Sequence, residues 1–189
     1  MPRHAYSSIA PRLAVLAVIA GSLALAAPAA AQTGGTAPPS DEPPPPSTGP
    51  PGKATLLASG KAIPPANAPA RVVRAIRAAN RIRKKPYIYG GGHASFEAPG
   101  YDCSGAVSYV LHAARMLRAP LPSGPMMRWG RKGRGKWITV YANRGHAYAV
   151  IAGLRWDTSA AGDSSGRGPR WRRTKRSPLG YRIRHFPRF

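Results

Sequence analysis

Cys103 is the only cysteine in the 189-residue chain, and its surroundings suit a nucleophile. It follows a Gly-Pro loop (Ala98, Pro99, Gly100) and opens a run whose apolar residues Val107, Val110, Leu111, Ala114 and Leu117 recur at helical spacing. The spacing predicts a helix over 104–117 with Asp102 as N-cap. A thiol at a helix N-terminus feels the positive end of the peptide dipole and the unpaired N–H groups of the first turn. Both favour the thiolate, so its pKa should fall.

A thiolate nucleophile needs a base within hydrogen-bond reach, and that base needs a third group to fix its ring. His112 lies nine residues along the Cys103 helix, roughly 13 Å away, and cannot reach the sulfur. His185 sits in an Arg-rich alternating segment and reads as a surface residue. His93 is near the cysteine in sequence but on a glycine-rich loop, with no strand to hold it. His146 begins a well-patterned strand just after Asn143-Arg144-Gly145, a turn signal. A rigid strand edge can hold a base to tight tolerance, which favours His146. For the third member, Asp157 follows the turn at Gly153; a tight hairpin would carry it back toward His146. A turn-capping role for Asp157 stays open, and Asp163 in the next loop is a weaker alternative.

These side chains need elements to position them. A first amphipathic helix is expected over 70–83, with Val72, Val73, Ile76, Ala79 and Ile82 on one face and Arg71, Arg74, Arg77 and Arg81 on the other. Residues 119–135 read as a long loop bordering the site, punctuated by Pro120, Pro122 and Pro125. Strands are expected over 137–142, 146–152, 154–158 and 181–185, with a Gly/Ser-rich loop over 159–170. Helices first and antiparallel strands after make an α+β domain, with N-terminal helices packed on a small antiparallel sheet.

The segments before this domain differ in kind. Residues 1–31 resemble a secretory signal, with Arg3, His4 and Arg12 before an apolar run of about 15 residues and Ala29-Ala30-Ala31 as cleavage site. A membrane-spanning helix needs roughly 20 apolar residues, so removal is expected, leaving no transmembrane anchor. Residues 32–69 read as a Pro-rich disordered linker, with Leu56-Leu57 able to dock on the domain, and 70–189 as the domain with a basic tail. An unpaired cysteine in an exported protein is a reactive or intermolecular thiol. The composition, 29 Lys+Arg against six Asp+Glu for a formal net charge of +23, should draw the chain to polyanions; outside a bacterial cell these are anionic cell-wall polymers, anionic lipid head groups and stray nucleic acid. Arg170-Trp171-Arg172-Arg173 could suggest nucleic acid, but no recognition motif accompanies it, so no specific nucleic-acid partner is expected. The histidines and the single cysteine lack metal-ligand spacing, so neither metal nor cofactor is expected.

Tyr87-Ile-Tyr-Gly-Gly, then Asp102-Cys103-Ser104-Gly105, then Gly145-His146 on a strand together resemble the NlpC-type cell-wall cysteine peptidases. The resemblance runs from about residue 71 to 186. It implies a papain-like fold and an exported hydrolase acting on peptidoglycan stem peptides, next to D-glutamate and a diamino acid. It also implies Cys103 as nucleophile, His146 as base and then acid, and a polar third residue for which Asp157 is the aligned position. Tyr87 and Ser104 would lie on the oxyanion and substrate side. The chain departs from the family pattern in Lys136-Trp-Ile-Thr-Val-Tyr141 before the histidine strand, in an aspartate as third residue, and in the Arg-rich stretch after Gly166. Two other readings remain open: a lipid or small-molecule amidase or acyltransferase on the same fold, and an inactive basic wall-binding protein.

Overall fold

The computed structural model describes residues 52–162 and 166–189. The signal-like segment 1–31, the spacer as far as residue 51 and Asp163 lie outside the described residues. In chain order the elements are β1 Thr55–Leu56, β2 Ala62–Ile63, α1 Ala70–Ile82, α2 Cys103–Ala113, α3 Ser123–Met126, β3 Arg131–Lys132, β4 Ile138–Ala142, β5 Ala147–Ile151, β6 Leu154–Asp157, β7 Arg170–Arg172 and β8 Arg182–His185. β1 and β2 pair with each other; the other six strands form one sheet in the order β3-β8-β4-β5-β6-β7, antiparallel throughout. The class is α+β.

Side chains alternate across a strand, so the register sorts them onto two faces. Val140, Ala149, Trp156 and Trp171 lie side by side across β4, β5, β6 and β7. This face meets the helices. The indole N–H of Trp156 donates to the Ala106 carbonyl in α2 (3.1 Å), and that of Trp171 donates to Asn80 Oδ1 in α1 (2.9 Å). Val72, Ile76 and Ala79 of α1 and Val107, Val110 and Leu111 of α2 are buried in the same core. Full burial of one such aliphatic side chain is worth about 1.5–3 kcal/mol, so this layer holds α2 against the sheet. The opposite face carries Thr139, Val150, Arg155 and Arg172 in one row, and Tyr141 beside Tyr148 in the next.

β5 and β6 are joined by two residues, Ala152 and Gly153, both in the left-handed region (φ 46° and 85°). That is the backbone of a type I′ hairpin, whose twist matches that of the strands. The expected helix over 104–117 stops earlier. Arg115 takes φ 56°, and the Met116 N–H donates back to Leu111 O, a helix-ending turn.

Three parts of the chain depart from expectation. Residues 52–69, assigned to the disordered 32–69 linker, instead hold the β1–β2 hairpin. Ala54 N–H donates to Ala152 O, and Asn80 accepts from and donates to the Ala62 backbone, tying this segment to the β5–β6 turn and α1. The Arg-rich stretch after Gly166 is part of the core rather than a tail: β7 is the sixth strand of the sheet, and Trp171 is 5% exposed. The 119–135 loop contains α3 and β3, and the buried Met126 anchors it to the core. No helix among the described residues is long and apolar enough to cross a membrane.

Candidate active site

Cys103 is the first residue of α2, and the chain before it is built to reach that helix closely. Asp102 caps the helix: its Oδ1 accepts from Gly105 N–H at 2.7 Å. The glycine loop 90–92 lies directly on this first turn. A Cβ on Gly105 would stand 2.0 Å from the Gly91 carbonyl oxygen, so only glycine admits the approach. Asp102 N–H donates to that same oxygen at 3.1 Å, locking loop and helix together.

His146 stands immediately before β5, and Asp157 ends β6. The I′ hairpin brings the two together: His146 Nε2–H donates to Asp157 Oδ1 at 2.9 Å. A side-chain hydrogen bond also joins His146 to Cys103. With Nε2 engaged by Asp157, Nδ1 is the ring nitrogen left for the sulfur. The backbone N–H of Ala147, the next residue on the strand, donates to the sulfur as well. Thiol, imidazole and carboxylate therefore form one continuous relay from helix to sheet.

The electrostatics follow the geometry. Burial pushes the Cys103 thiol up, but the hydrogen bond and charge of His146 and the Ala147 N–H outweigh it, leaving it below its ordinary 9.0. Asp102 opposes that fall by charge. Burial alone would lower His146; the bonds to Asp157 and then to Cys103 overcome it and push the imidazole up to about 9. Both shifts favour a thiolate–imidazolium pair.

Asp157 is itself closely held. Its side chain is fully buried; Oδ1 also accepts from Ser159 N–H (2.9 Å), and Oδ2 accepts from Arg176 Nη1 (3.3 Å), with Arg155 Nε 3.6 Å away. These partners satisfy a charge that burial would otherwise make costly. Arg176 in turn lies over the rings of Tyr148 and Tyr181, 5.6 Å from each. Tyr181 meets His146 edge-on at 6.4 Å.

The remaining predicted residues sit nearby with different partners. Tyr87 is 42% exposed and pairs through its backbone with Tyr101. Burial and then the charges of Cys103 and Asp102 raise its phenol, which puts it in the field of the sulfur. Ser104 is buried, and its hydroxyl donates to Asp102 Oδ1 at 3.3 Å. His93 does not approach the sulfur as a base would. Its Nε2–H is shared among Asp102 Oδ1 (3.0 Å), Asp102 Oδ2 (3.1 Å) and Ser104 Oγ (3.1 Å). His112 stacks on Phe96 at 3.8 Å and bonds Leu117 O, and His185 bonds Gly133 O, both remote from the relay. Arg176 escaped the sequence reading because nothing in a run of arginines distinguishes the one that reaches Asp157. The His93–Asp102 pair was hidden by the loop that separates its members.

No protein-family model matches the chain, and no curated protein matches it. Several solved structures resemble its fold. The peptidoglycan hydrolase RipB of Mycobacterium tuberculosis is 20% identical, with 65% of this chain and 68% of that chain covered and a TM-score of 0.47. A hypothetical invasion protein of Mycobacterium tuberculosis is 22% identical over 60% of this chain and 61% of its own length, with a TM-score of 0.44. An NlpC/P60 family protein of Bacillus cereus is 18% identical over 61% of this chain and 40% of its own, with a TM-score of 0.46. The chain thus spans less than two thirds of the length of the last two.

Proposed function

We propose that this chain is an exported cysteine peptidase that cleaves a stem-peptide amide bond of peptidoglycan. The observation that carries the chemistry is the relay Cys103–His146–Asp157, with the histidine bonded on one nitrogen to a buried carboxylate and on the other to the sulfur. The substrate class rests on the likeness of Tyr87-Ile-Tyr-Gly-Gly and Asp102-Cys103-Ser104-Gly105 to the NlpC-type peptidases, and on a strongly basic chain suited to an anionic wall.

In this mechanism the Cys103 thiolate attacks the amide carbonyl, forming a C–S bond and an oxyanion. Backbone N–H groups at the start of α2 face the developing charge. The His146 imidazolium gives its proton to the amide nitrogen, the C–N bond breaks and the amine leaves. His146, now neutral, takes a proton from water; the hydroxide attacks the thioester, and the acid departs as the thiolate re-forms. Asp157 keeps the ring oriented and stabilises its charged form. Tyr87 lines the oxyanion side. The bond next to D-glutamate and a diamino acid is the one the motif likeness favours.

Purified peptidoglycan incubated with the protein should release new muropeptides detectable by mass spectrometry, and none with Cys103→Ala. Equal product from the two proteins would exclude a Cys103 mechanism.

A further inference from the structure

The sheet face turned away from the helices encloses a cavity of about 410 Å³. Seven of its thirteen described lining residues are Lys or Arg, and none of the described ones is acidic. At its base lie Arg155 and Arg172, 3% and 1% exposed, on adjacent strands. Both are steadied by backbone carbonyls: Arg155 donates to Ala161 O at 2.9 Å and Arg172 to Gly166 O at 2.8 Å. Lys53, Arg134 and Lys175 form an exposed rim.

Like charges gathered in a partly enclosed space repel one another, and low-dielectric walls focus their field outward. Asp157 offsets part of this from one side, through Arg155 and Arg176. A second feature points to a ligand. Tyr148 lines the cavity and is 1% exposed, yet its hydroxyl has no hydrogen-bond partner among the described residues. Burial holds that phenol protonated, so it is a donor without an acceptor. Buried polar groups are almost always satisfied, and one that is not calls for an explanation.

We propose that this cavity is a binding site for a phosphate-type oxyanion. Such a group brings a full negative charge and at least two anionic acceptor oxygens in a compact tetrahedral volume. It would accept from the Tyr148 hydroxyl and from guanidinium forks, whose spacing suits phosphate oxygens. A carboxylate is planar and offers fewer acceptor oxygens, so it would leave more of the lining's donors unmatched. Free phosphate and the phosphodiester of a wall polymer share this chemistry. Binding needs no turnover, so it stands or falls apart from the hydrolase reading.

The test is calorimetry on the full-length protein at fixed ionic strength, with inorganic phosphate, pyrophosphate and a glycerol phosphodiester oligomer as probes. Saturable single-site binding of any of the three is expected, and the tightest of them identifies the source. Arg134→Gln with Lys175→Gln should weaken that binding by about tenfold, and Tyr148→Phe by several-fold, since each removes groups that bond a charged ligand. Arg118→Gln with Arg188→Gln, outside the cavity, should leave it unchanged. The rim residues are exposed, so their variants keep the test decisive even if Tyr148→Phe folds poorly. Absence of saturable binding would overturn the proposal. So would an equal loss in the control pair, which would mean general attraction to a basic chain.

Discussion

Cys103 stands between two histidine–aspartate pairs of nearly equal length, His146–Asp157 at 2.9 Å and His93–Asp102 at 3.0 Å. Only one is arranged as a base. His146 and Asp157 are held by adjacent strands; Asp157 is fully buried, and the free nitrogen of the imidazole faces the sulfur. His93 rides on a loop, and its carboxylate is already employed as a helix cap. Its second nitrogen is buried with no partner among the described residues. The two aspartates even act on the thiol in opposite senses. Asp157 supports the imidazolium that stabilises the thiolate, whereas Asp102 opposes the thiolate directly. An Asp–His contact is therefore not a catalytic unit by itself; what counts is where the other ring nitrogen points.

The largest effect that tests this contrast is removal of the proposed base. His146→Ala should lower kcat/KM on peptidoglycan fragments by on the order of 10⁴-fold, the upper end for a positioned acid–base group. A loss of less than about tenfold would mean that another group takes the proton. Asp157→Asn comes next, at about 10²-fold or more, because the amide can neither stabilise the imidazolium nor enforce the same tautomer. Its thermal stability should fall too, since Arg155 and Arg176 lose their buried counter-charge.

The pH profile sharpens the contrast further. With Cys103 below 9.0 and His146 raised to about 9, the ion pair exists between the two titrations. Activity should rise on an acid limb as the thiol ionises and fall on a basic limb near pH 9 as the imidazolium loses its proton. Alkylation by iodoacetamide isolates the thiol. Its midpoint should lie below 9.0 in the parent and move up in His146→Ala, where burial and Asp102 act unopposed by the imidazole. An unchanged midpoint would show that His146 does not set the thiol.

Much of the relay was legible because it sits where pattern is strong. Alternation marks β4, β5 and β6, and Gly153 marks the tight turn that carries Asp157 back toward His146. The two-residue strands β1, β2 and β3 carry no period to detect. β7 was obscured by its composition: Arg170-Trp171-Arg172 looks solvated, yet Trp171 enters the core and Arg172 is buried among the carbonyls of Asp157, Gly166 and Gly168. His93 was set aside because glycines surround it. Those glycines are what let the loop lie against α2, which holds the ring on Asp102.

The second pair supplies the smaller effects. Asp102→Asn keeps an oxygen for the Gly105 N–H, and Asn caps helices about as well as Asp, so stability should change by less than about 1 kcal/mol. It removes the charge that opposes the thiolate, so the alkylation midpoint should fall. His93→Ala works the other way. Without its donor, Asp102 loses a partner that draws on both carboxylate oxygens, and more of its charge is felt at the sulfur. The midpoint should rise slightly, and kcat/KM near neutral pH should fall by no more than about threefold, the size expected when a charge that stays in place loses one partly exposed neutralising partner. A His93→Ala loss as deep as that of His146→Ala would reverse the assignment, making the loop histidine the base and the strand pair its support.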